Sequence, residues 1–537
     1  MKNGAKFNGN RRQFFKTTLF AIAALPFIQS CEKTVVKLIF KITGTNHILG
    51  HKLRTNDFPK PTETIHEDIL IIGGGISGLS AARWLTKNNV TNFKLIELED
   101  DLGGNSLGKQ NAVSEYPVAA HYLPLPNLTN KDLLDFLYES NVITHFSDNG
   151  SPVYNESYLC FSPQERLFIH NYWQDGLVPT YGITKEATEA FESFEKKMQF
   201  YKSAVGTDGA FAFDIPLNAS STDKEFTQLD TFTFKEWLIK NELNNETLFV
   251  YLNYCCKDDY GIGIDKVSAW AGIHYFCSRK NSNHNVLTWP EGNHFLSKKF
   301  NPYVKNKVQK NSLVYSVKIK NKQAVVCVYN SISKKSTQII AKKIILATPQ
   351  FVNAYLLENR SKLTTKFQYA PWITATLTVK KFPVGEGASL SWDNVIHNGF
   401  GLGYIYNQHQ TLNQYHPPFS ITYYAALCAN DLKTERRNLL TNSDYYWRNI
   451  VLNDLEKAHY GISNEVLEME IHKKGHGMIS PFPNFIFSEE IKTAAHPINQ
   501  TIYFAHSDLS GISIFEEAFY QGIKAAKQLL HDSTLDT

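Results

Sequence analysis

The sequence lacks the residue patterns on which several common kinds of active site depend. It contains seven cysteines in 537 residues, and no two of them form the Cys-x-x-Cys pair typical of zinc sites. It also has no His-Glu-x-x-His motif, no phosphate-binding loop ending in Lys-Ser or Lys-Thr, and no Gly-x-Ser-x-Gly elbow. We therefore expect no metal site, and neither a P-loop nucleotide hydrolase nor a serine hydrolase of the elbow type.

An excess of charge of one sign is also missing. The 55 basic and 51 acidic residues leave a formal net charge of +4, which gives no reason to expect nucleic acid as a partner. The chain is 43% apolar and 20% charged, values typical of a soluble globular protein. Its length is sufficient for two or three domains with a sizeable core.

The first 31 residues are a targeting segment, to be excluded from the fold. Asn10–Lys16 resembles a twin-arginine export signal, and the moderately apolar stretch 17–29 behind it is short for a transmembrane span. Residues 28–31, Ile-Gln-Ser-Cys, resemble a lipobox in which Cys31 would be lipidated. Plain cleavage and an uncleaved anchor are the alternatives. We expect an exported, periplasmic protein, anchored to the membrane if Cys31 carries a lipid, with an N-terminal arm and linker over 32–65.

One glycine-rich stretch has the form of a dinucleotide-binding turn. Residues 69–72 predict a buried parallel strand and 77–88 a helix, and three glycines between them have the spacing Gly-x-Gly-x-x-Gly. The first permits a tight turn, the second lets the backbone approach a diphosphate, and the third lets helix and strand pack closely. Phosphates would bind the free N–H groups at the helix start. The residues assigned to this turn are Gly73, Gly75, Ile76, Ser77 and Gly78.

An acid and a second glycine pair follow at matching distances. Residues 92–97 predict a second parallel strand that ends in Glu97, nineteen residues beyond Gly78. A carboxylate at that place accepts hydrogen bonds from both ribose hydroxyls of an adenosine, which argues against a 2′-phosphate on the ligand. Gly103 and Gly104 begin six residues after Glu97.

Glu97 and the pair Gly103-Gly104, behind such a strand–helix–strand unit, resemble the signature of the FAD-dependent amine oxidase superfamily. The resemblance implies FAD as the cofactor. In similar proteins an arginine follows the glycine pair and contacts the phosphate region of FAD, whereas this chain has Asn105. Asn105 is therefore a departure within the predicted FAD site.

The resemblance continues in two later parts of the chain. It implies that the backbone near Val314 meets the adenine and that the turn at Ala347 and Thr348 lies near the cofactor. It further implies that Asp508 bonds the ribityl chain, although His506 replaces the usual glycine. The helix start at Ser513 would face the N1/O2 edge of the flavin, where the helix dipole stabilises negative charge. No cysteine lies near Asp508 in the pattern of covalent flavin, so we expect non-covalent FAD.

The fold class that the resemblance implies is α/β. It would combine a three-layer, Rossmann-like FAD-binding domain with a second, α+β substrate domain built on a mixed or antiparallel sheet plus a helical insertion. The FAD-binding domain would comprise 66–127, 285–360 and 485–537. The substrate domain would comprise 128–284 and 361–484.

Two residues are candidates for a catalytic role. Lys380, towards the end of the predicted strand 371–383, is the candidate for the lysine that hydrogen-bonds through water to flavin N5 in similar amine oxidases. A solvated lysine at a strand end is the alternative. His121 lies where the chain should pass the flavin ring, as a base, as a ring contact or as a structural histidine. Asp393 or Glu291 would be the anion that attracts a cationic substrate.

These features predict an exported FAD-dependent oxidoreductase that oxidises an amine, for example a polyamine, by hydride transfer to flavin N5. One alternative is a carbon–carbon desaturase or porphyrinogen oxidase. Another is an electron-transfer flavoprotein without amine oxidase activity. The polarity of the cavity that faces the flavin should discriminate between the enzymes, because an acidic, aromatic-walled cavity suits an amine and a long apolar one suits desaturation.

Overall fold

The computed structural model describes residues 38–281, 285–383, 385–411 and 416–534. The predicted export signal and Cys31 lie outside the described residues. From Phe40 onward the chain forms one compact unit.

The described residues contain short and long strands in the following order along the chain: β1 (Ile39–Gly44), β2 (Glu63–Ile72), β3 (Phe93–Ile96), β4 (Gly108–Gln110), β5 (Glu115–Pro117), β6 (Tyr122–Pro124), β7 (Ile143–Phe146), β8 (Pro152–Tyr154), β9 (Glu165–Ile169), β10 (Tyr172–Asp175), β11 (Val286–Thr288), β12 (Val308–Gln309), β13 (Ser312–Lys320), β14 (Gln323–Asn330), β15 (Lys335–Leu346), β16 (Tyr369–Val379), β17 (Asp393–Ile396), β18 (Gly403–Tyr406), β19 (Phe419–Ala426), β20 (Val466–Ile479) and β21 (Ile502–Phe504).

The α-helices of the same residues are: α1 (His47–Thr55), α2 (Ile76–Lys87), α3 (Lys131–Glu139), α4 (Lys185–Ser203), α5 (Lys224–Thr227), α6 (Phe234–Lys240), α7 (Glu246–Tyr260), α8 (Ala269–Cys277), α9 (His294–Lys298), α10 (Asn301–Val304), α11 (Gln350–Leu356), α12 (Leu432–Thr441), α13 (Asp444–Ala458), α14 (Glu489–Ala495) and α15 (Phe515–Thr534). None of these helices combines the length and the apolar character that crossing a membrane requires.

A seven-stranded sheet contains the predicted dinucleotide-binding elements. Its order is β12-β3-β2-β15-β14-β13. The seventh strand, β21, pairs with the last three residues of β15. Strands β3, β2, β15 and β21 run parallel, whereas β13, β14 and β15 form an antiparallel meander. The apolar end of β2, from Ile69 to Ile72, is buried on both faces, as expected for a strand inside a parallel sheet.

The second sheet has eight strands, in the order β1-β20-β16-β19-β18-β17-β9-β10. Its long central strands β20, β16 and β19 are antiparallel, and β17 pairs in parallel with β9. Every residue of β16 is buried. Helices α4, α6, α7 and α8 pack on this sheet through a large apolar cluster that includes Trp237, Trp270 and Trp372. This cluster contains most of the helical insertion that the sequence predicts.

The strands of the two sheets divide the chain close to the predicted domain boundaries. All strands of the seven-stranded sheet except the first three residues of β2 fall within 66–127, 285–360 and 485–537. The strands of the eight-stranded sheet fall within the predicted substrate ranges, with β1 as the exception. The N-terminal arm thus adds an edge strand to this sheet beside β20. The fourteen-residue strand β20 itself has no counterpart among the predicted elements.

Helices α2 and α15 pack in close contact, with hydrogen bonds between them. Ser77 Oγ donates to Ala518 O at 2.8 Å, and Ser80 Oγ donates to Phe519 O at 3.0 Å. A Cβ atom added to Gly522 would lie 2.1 Å from the carbonyl oxygen of Ser77. The absence of a side chain at Gly522 therefore lets the last helix dock on the helix of the glycine turn.

We expect Gly522→Ala to lower the free energy of unfolding by about 1–3 kcal/mol, because the added methyl group forces two buried helices apart. Denaturant unfolding of the purified protein measures this change. Gly50→Ala in α1 is the matched control, since no atom lies within 4 Å of the added Cβ and alanine stabilises a helix interior by about 0.5–1 kcal/mol relative to glycine. Equal stability of the two variants would contradict the inferred close contact.

Candidate cofactor and substrate site

The glycine turn behind β2 has the geometry that its spacing predicts. Gly73 has φ +108°, and a Cβ there would lie 2.6 Å from the carbonyl oxygen of Ala347. A Cβ on Gly78 would lie 1.9 Å from the carbonyl oxygen of Gly73. Around Gly75, by contrast, no atom lies within 4 Å of an added Cβ. Two glycines thus permit close packing of the protein, and the middle one borders open space at the helix start.

The second glycine pair lies directly against this turn. The N–H of Gly103 donates to Gly74 O at 2.9 Å, and Gly103 and Gly75 form a parallel β-bridge. Gly103 and Gly104 have φ values of +127° and +59°, which disfavour any residue with a side chain. Helix α2 begins at Ile76 and Ser77 without a side-chain cap at Gly75, so its first N–H groups are available to an anion.

Glu97 lies at the end of β3 beside the turn. Its carboxylate accepts hydrogen bonds from the N–H groups of Gly74 at 2.5 Å and Glu99 at 2.8 Å. Burial raises the pKa of Glu97 to about 7, although these two bonds oppose the shift. The N–H of Ser312 donates to Glu97 O at 2.8 Å, so β13, with buried Val314, starts beside this acid. The fold therefore brings the predicted ribose and adenine residues together.

The turn after β15 adjoins the same place. Ala347 N–H donates to Ile72 O at 2.8 Å, and Thr348 Oγ donates to Asn353 Oδ1 at 2.6 Å. Ala347 is therefore next to Gly73, and the Thr348 hydroxyl is bonded to Asn353 of α11.

Asp508 is held by three groups of the chain itself. Its carboxylate accepts from Tyr369 OH at 2.6 Å and from the N–H of Gln350 at 2.8 Å, and His506 Nδ1 lies 2.9 Å away. Burial alone would raise the pKa of Asp508, but His506, Tyr369 and Gln350 outweigh it and lower the pKa. Oδ2 of Asp508 thus holds β16 and the start of α11, while Oδ1 faces His506 of the same turn. Ser513, two residues before α15, does lie at the cavity described next.

A cavity is lined by residues next to the glycine turns and by strands of the eight-stranded sheet. Its lining includes residues of the second glycine turn, the start of α15, and strands β16, β19 and β20. Among the described residues that line it, the polar and aromatic ones are Asn105, His121, Tyr122, Asp258, Asp259, Arg279, Asn293, Trp372, Thr374, Tyr424, His472, Lys474, Ser513, Phe515 and Glu516. No cysteine is among them.

The substrate side of this cavity is acidic. Asp258 and Asp259 lie at the end of α7, and Tyr122 OH donates to Asp258 Oδ2 at 3.4 Å. Behind the wall, the carboxylate of Asp393 accepts from Tyr424 OH at 3.1 Å and from Tyr254 OH at 3.5 Å. Asp258 thus lines the cavity beside Tyr122, and Asp393 is connected to the cavity through the hydroxyl of Tyr424.

Burial raises the pKa of each of these carboxyl groups. Desolvation and the neighbouring Asp259 and Asp393 raise the pKa of Asp258 well above its ordinary value. Desolvation also raises the pKa of Asp393 to about 8 and that of Asp259 to about 6, with Arg279 opposing the shift at Asp259. Arg279 is itself paired with Glu516 at 2.7 Å. Among the described residues no salt bridge joins Asp258 or Asp259 to a cation, although the charge of Arg279 acts on Asp259 from a greater distance. A positively charged ligand could therefore pair with Asp258.

Of the two predicted catalytic residues, His121 lies at the cavity and Lys380 does not. The His121 ring contacts those of Tyr122 and Tyr424, at 5.1 and 5.0 Å between centroids. Burial lowers the pKa of His121 to about 4, which makes it neutral at pH 7 and a weak base. Lys380 is exposed just beyond the end of β16, six residues from the cavity residue Thr374, so the expectation that it approaches the flavin is not supported.

The two predicted anions also differ. Glu291 is buried in an ion pair with Lys298 at 2.7 Å and is not among the cavity residues, so its charge is already neutralised. Asp393 reaches the cavity only through the hydroxyl of Tyr424. The lysine that does line the cavity, Lys474, and the adjacent acids Asp258 and Asp259 were not predicted. The Asp-Asp pair in a segment of apolar helical residues was the signal available for the acids.

Comparisons with known proteins bear on the fold. Residues 71–139 match the NAD(P)-binding Rossmann-like domain. Wild-type putrescine oxidase bound to putrescine superposes with a TM-score of 0.59 at 14% identity, covering 87% of this chain and 100% of that one. Cyclohexylamine oxidase from Brevibacterium oxydans IH-35A superposes with a TM-score of 0.61 at 14% identity, covering 87% and 99%. The chain therefore has the fold of these two amine oxidases.

The predicted fold class is therefore confirmed, and the turn, Glu97 and the second glycine pair fit the predicted FAD. The amine oxidase fold does not determine the substrate. A fatty acid isomerase from P. acnes also superposes, with a TM-score of 0.61 at 14% identity, covering 86% of this chain and 98% of that one. A Baeyer-Villiger monooxygenase from Dietzia sp. (strain D5) is 39% identical over 59 residues, and the chain matches only 10% of that relative's length.

We expect Gly75→Ala to weaken FAD binding by about ten- to a hundredfold, because a methyl group would occupy space that the diphosphate needs, a packing conflict of about 1–3 kcal/mol. The stability of the apoprotein should change by less than about 1 kcal/mol, since the φ of −74° suits any residue. Quenching of flavin fluorescence during titration of apoprotein measures the affinity, with Gly50→Ala as the control. An unchanged affinity would show that the diphosphate does not lie on Gly75.

Proposed function

We propose that the protein is an FAD-dependent oxidoreductase that oxidises an amine. The observation that carries this proposal is the acidic, aromatic-walled cavity beside the dinucleotide turn, with Asp258 and Asp259 at its wall and Asp393 behind Tyr424. Bound FAD supplies a hydride acceptor at N5 of its ring. The residues of the chain then have to bind the amine, orient it and remove its proton.

The cavity residues suit each of these tasks. Carboxylates attract an ammonium group, and the faces of Tyr122, Trp372 and Tyr424 offer cation–π contacts and a water-poor surface. A buried carboxyl group with a raised pKa accepts a proton from the ammonium more readily than an ordinary aspartate. Asp258 can therefore hold the proton while the amine is neutral, the state in which its α-carbon can give up a hydride.

A desaturase acting on an apolar chain is the weaker candidate. Such a substrate offers no charge or hydrogen bond to two adjacent carboxyl groups at a cavity wall, and leaving them unpaired is costly. Two of the structural neighbours are named for amine substrates, putrescine and cyclohexylamine, but at 14% identity those names indicate only that the fold accommodates amines.

We further propose that the protein is exported in folded form through the twin-arginine route and acts in the periplasm, with Cys31 as a lipid-bearing anchor. The signal-like sequence Asn10–Lys16 and the lipobox-like residues 28–31 support this proposal. A Cys31→Ser variant that remains in the soluble periplasmic fraction, while the parent chain is recovered with membranes, would support the anchor. Equal distribution of both proteins would contradict it.

The amine proposal predicts that the purified protein is yellow and that one or more members of a panel of primary, secondary and polyamines bleach its flavin absorbance under anaerobic conditions. Asp258→Asn should slow this reduction by about 10²- to 10⁴-fold, the range in which a general base contributes. Asp265→Asn, an exposed acid five residues beyond α7, is the matched control and should reduce at the parent rate.

Two results would contradict the amine proposal. A protein that takes up no FAD is not a flavoenzyme. A yellow protein that no amine bleaches, but that an unsaturated lipid or a porphyrinogen reduces, belongs to the alternative class.

The acids also predict a pH dependence of cation binding. Burial raises the pKa of Asp258 well above its ordinary value and that of Asp393 to about 8, which favours the protonated form of both carboxyl groups. A cation binds the ionised carboxylates, so a proton must leave when it binds. The affinity for tetramethylammonium, whose charge does not titrate, should therefore rise by up to about tenfold per pH unit from pH 6 to 8.

Calorimetric titration at several pH values measures this dependence. In Asp258→Asn the slope should become shallower, because one titrating carboxyl group is removed. An affinity that is constant or falls with rising pH in the parent protein would exclude these acids as the cation site.

A further inference from the structure

Lys474 places a buried positive charge beside the second glycine turn. It lies in β20 opposite Trp372 of β16 and is only 6% exposed. Its Nζ donates to Asn105 Oδ1 at 2.9 Å, while Asn105 Nδ2 donates to Gly477 O at 2.7 Å. Asn105 thus joins the turn to β20 and fixes the ammonium group next to Gly104.

This ammonium group has no counter-ion in contact. Among the residues that the structure describes, no carboxylate oxygen lies within 4.0 Å of Lys474 Nζ, and Asn105 is its one hydrogen-bond acceptor. Burial lowers the pKa of Lys474 to about 8, and the charge of Glu99 opposes the shift only in part. Glu99 itself accepts a hydrogen bond from the N–H of Asn46 at 2.8 Å.

A buried ammonium group with two N–H donors still unpaired raises the free energy of the folded protein unless an anion pairs with it. The place of this cation is informative, since Asn105 follows Gly103 and Gly104, which lie against Gly75 at the uncapped start of α2. That helix start is the position at which a dinucleotide diphosphate binds. His472, its neighbour two residues back on β20, has its pKa lowered to about 2 by burial and by Lys474 and Lys109, and is therefore neutral.

We propose that Lys474 pairs with the FAD diphosphate, so that a lysine from the second sheet supplies the charge that Asn105 cannot. The inference rests on the proposed FAD cofactor and deepens it. It makes FAD binding depend on both sheets, because the glycine turns come from one sheet and the cation from the other.

The test compares Lys474→Met, Lys474→Arg and the double variant Asn105→Arg/Lys474→Met by titration of each apoprotein with FAD. We expect Lys474→Met to raise the Kd by about ten- to a hundredfold, the range for a lost hydrogen bond to a charged group. Lys474→Arg should stay near the parent, and the double variant should regain part of the loss because it moves the charge to the turn. ADP, which has the diphosphate but no flavin, should lose affinity by a similar factor in Lys474→Met.

A merely structural lysine gives different results. The apoprotein of Lys474→Met should melt at or above the temperature of the parent, since it loses an uncompensated buried charge; a lower melting temperature with unchanged FAD affinity overturns the inference. Weaker FAD binding with unchanged ADP binding also overturns it, since Lys474 would then contact the ring. If the parent binds FAD but oxidises no amine, only the amine proposal fails; if the parent binds no FAD, both fail.

Discussion

The close approach of two glycine turns is the constraint on which the rest of this site depends. A Cβ on Gly104 would lie 3.2 Å from the Cα of Gly75, and Gly75 and Gly103 share a backbone bridge. The positive φ values of Gly103 and Gly104 and the short distance at Gly104 favour glycine on one side of this contact, whereas Gly75 borders open space. The contact brings Glu97, at the end of one strand, and Asn105, at the entrance to the cavity, to one side of a helix start, and every other part of the site is positioned relative to that point.

The same contact explains how two sheets with separate cores form one site. Asn105 extends the turn towards β20, where it accepts from Lys474 and donates to the carbonyl of Gly477. Thr374 of β16 donates to Val118 O at 2.7 Å, which ties the central strand of the second sheet to the segment that leads to His121. The cavity between the sheets is therefore bounded by polar contacts of defined geometry rather than by apolar packing alone.

The sequence predicts the local parts of this molecule well, because short-range geometry determines them. The spacing of Gly73, Gly75 and Gly78 predicts a tight turn between strand and helix, and the close contacts of Gly73 and Gly78 agree with it. The cavity residues depend instead on pairings between distant strands. Lys474 meets Asn105 across 369 residues, and no local pattern distinguishes it from Lys380, which follows a predicted strand but is exposed. Asp508 has the expected position, but its partners Tyr369 and Gln350 come from elsewhere in the chain.

The charges around the cavity argue for ligands rather than for stability. Lys474 lies buried beside the glycine turns and the half-buried Asp258 lies beside Tyr122, each without a counter-ion in contact with it among the described residues. Apolar residues of similar volume would serve a folded core as well or better, so the free energy that these groups cost is recovered only when an anion and a cation occupy the cavity. Ligands that bind only the folded state stabilise it by mass action. Binding of an anion at Lys474 and of a cation at Asp258, which line the same cavity, should therefore raise the free energy of unfolding.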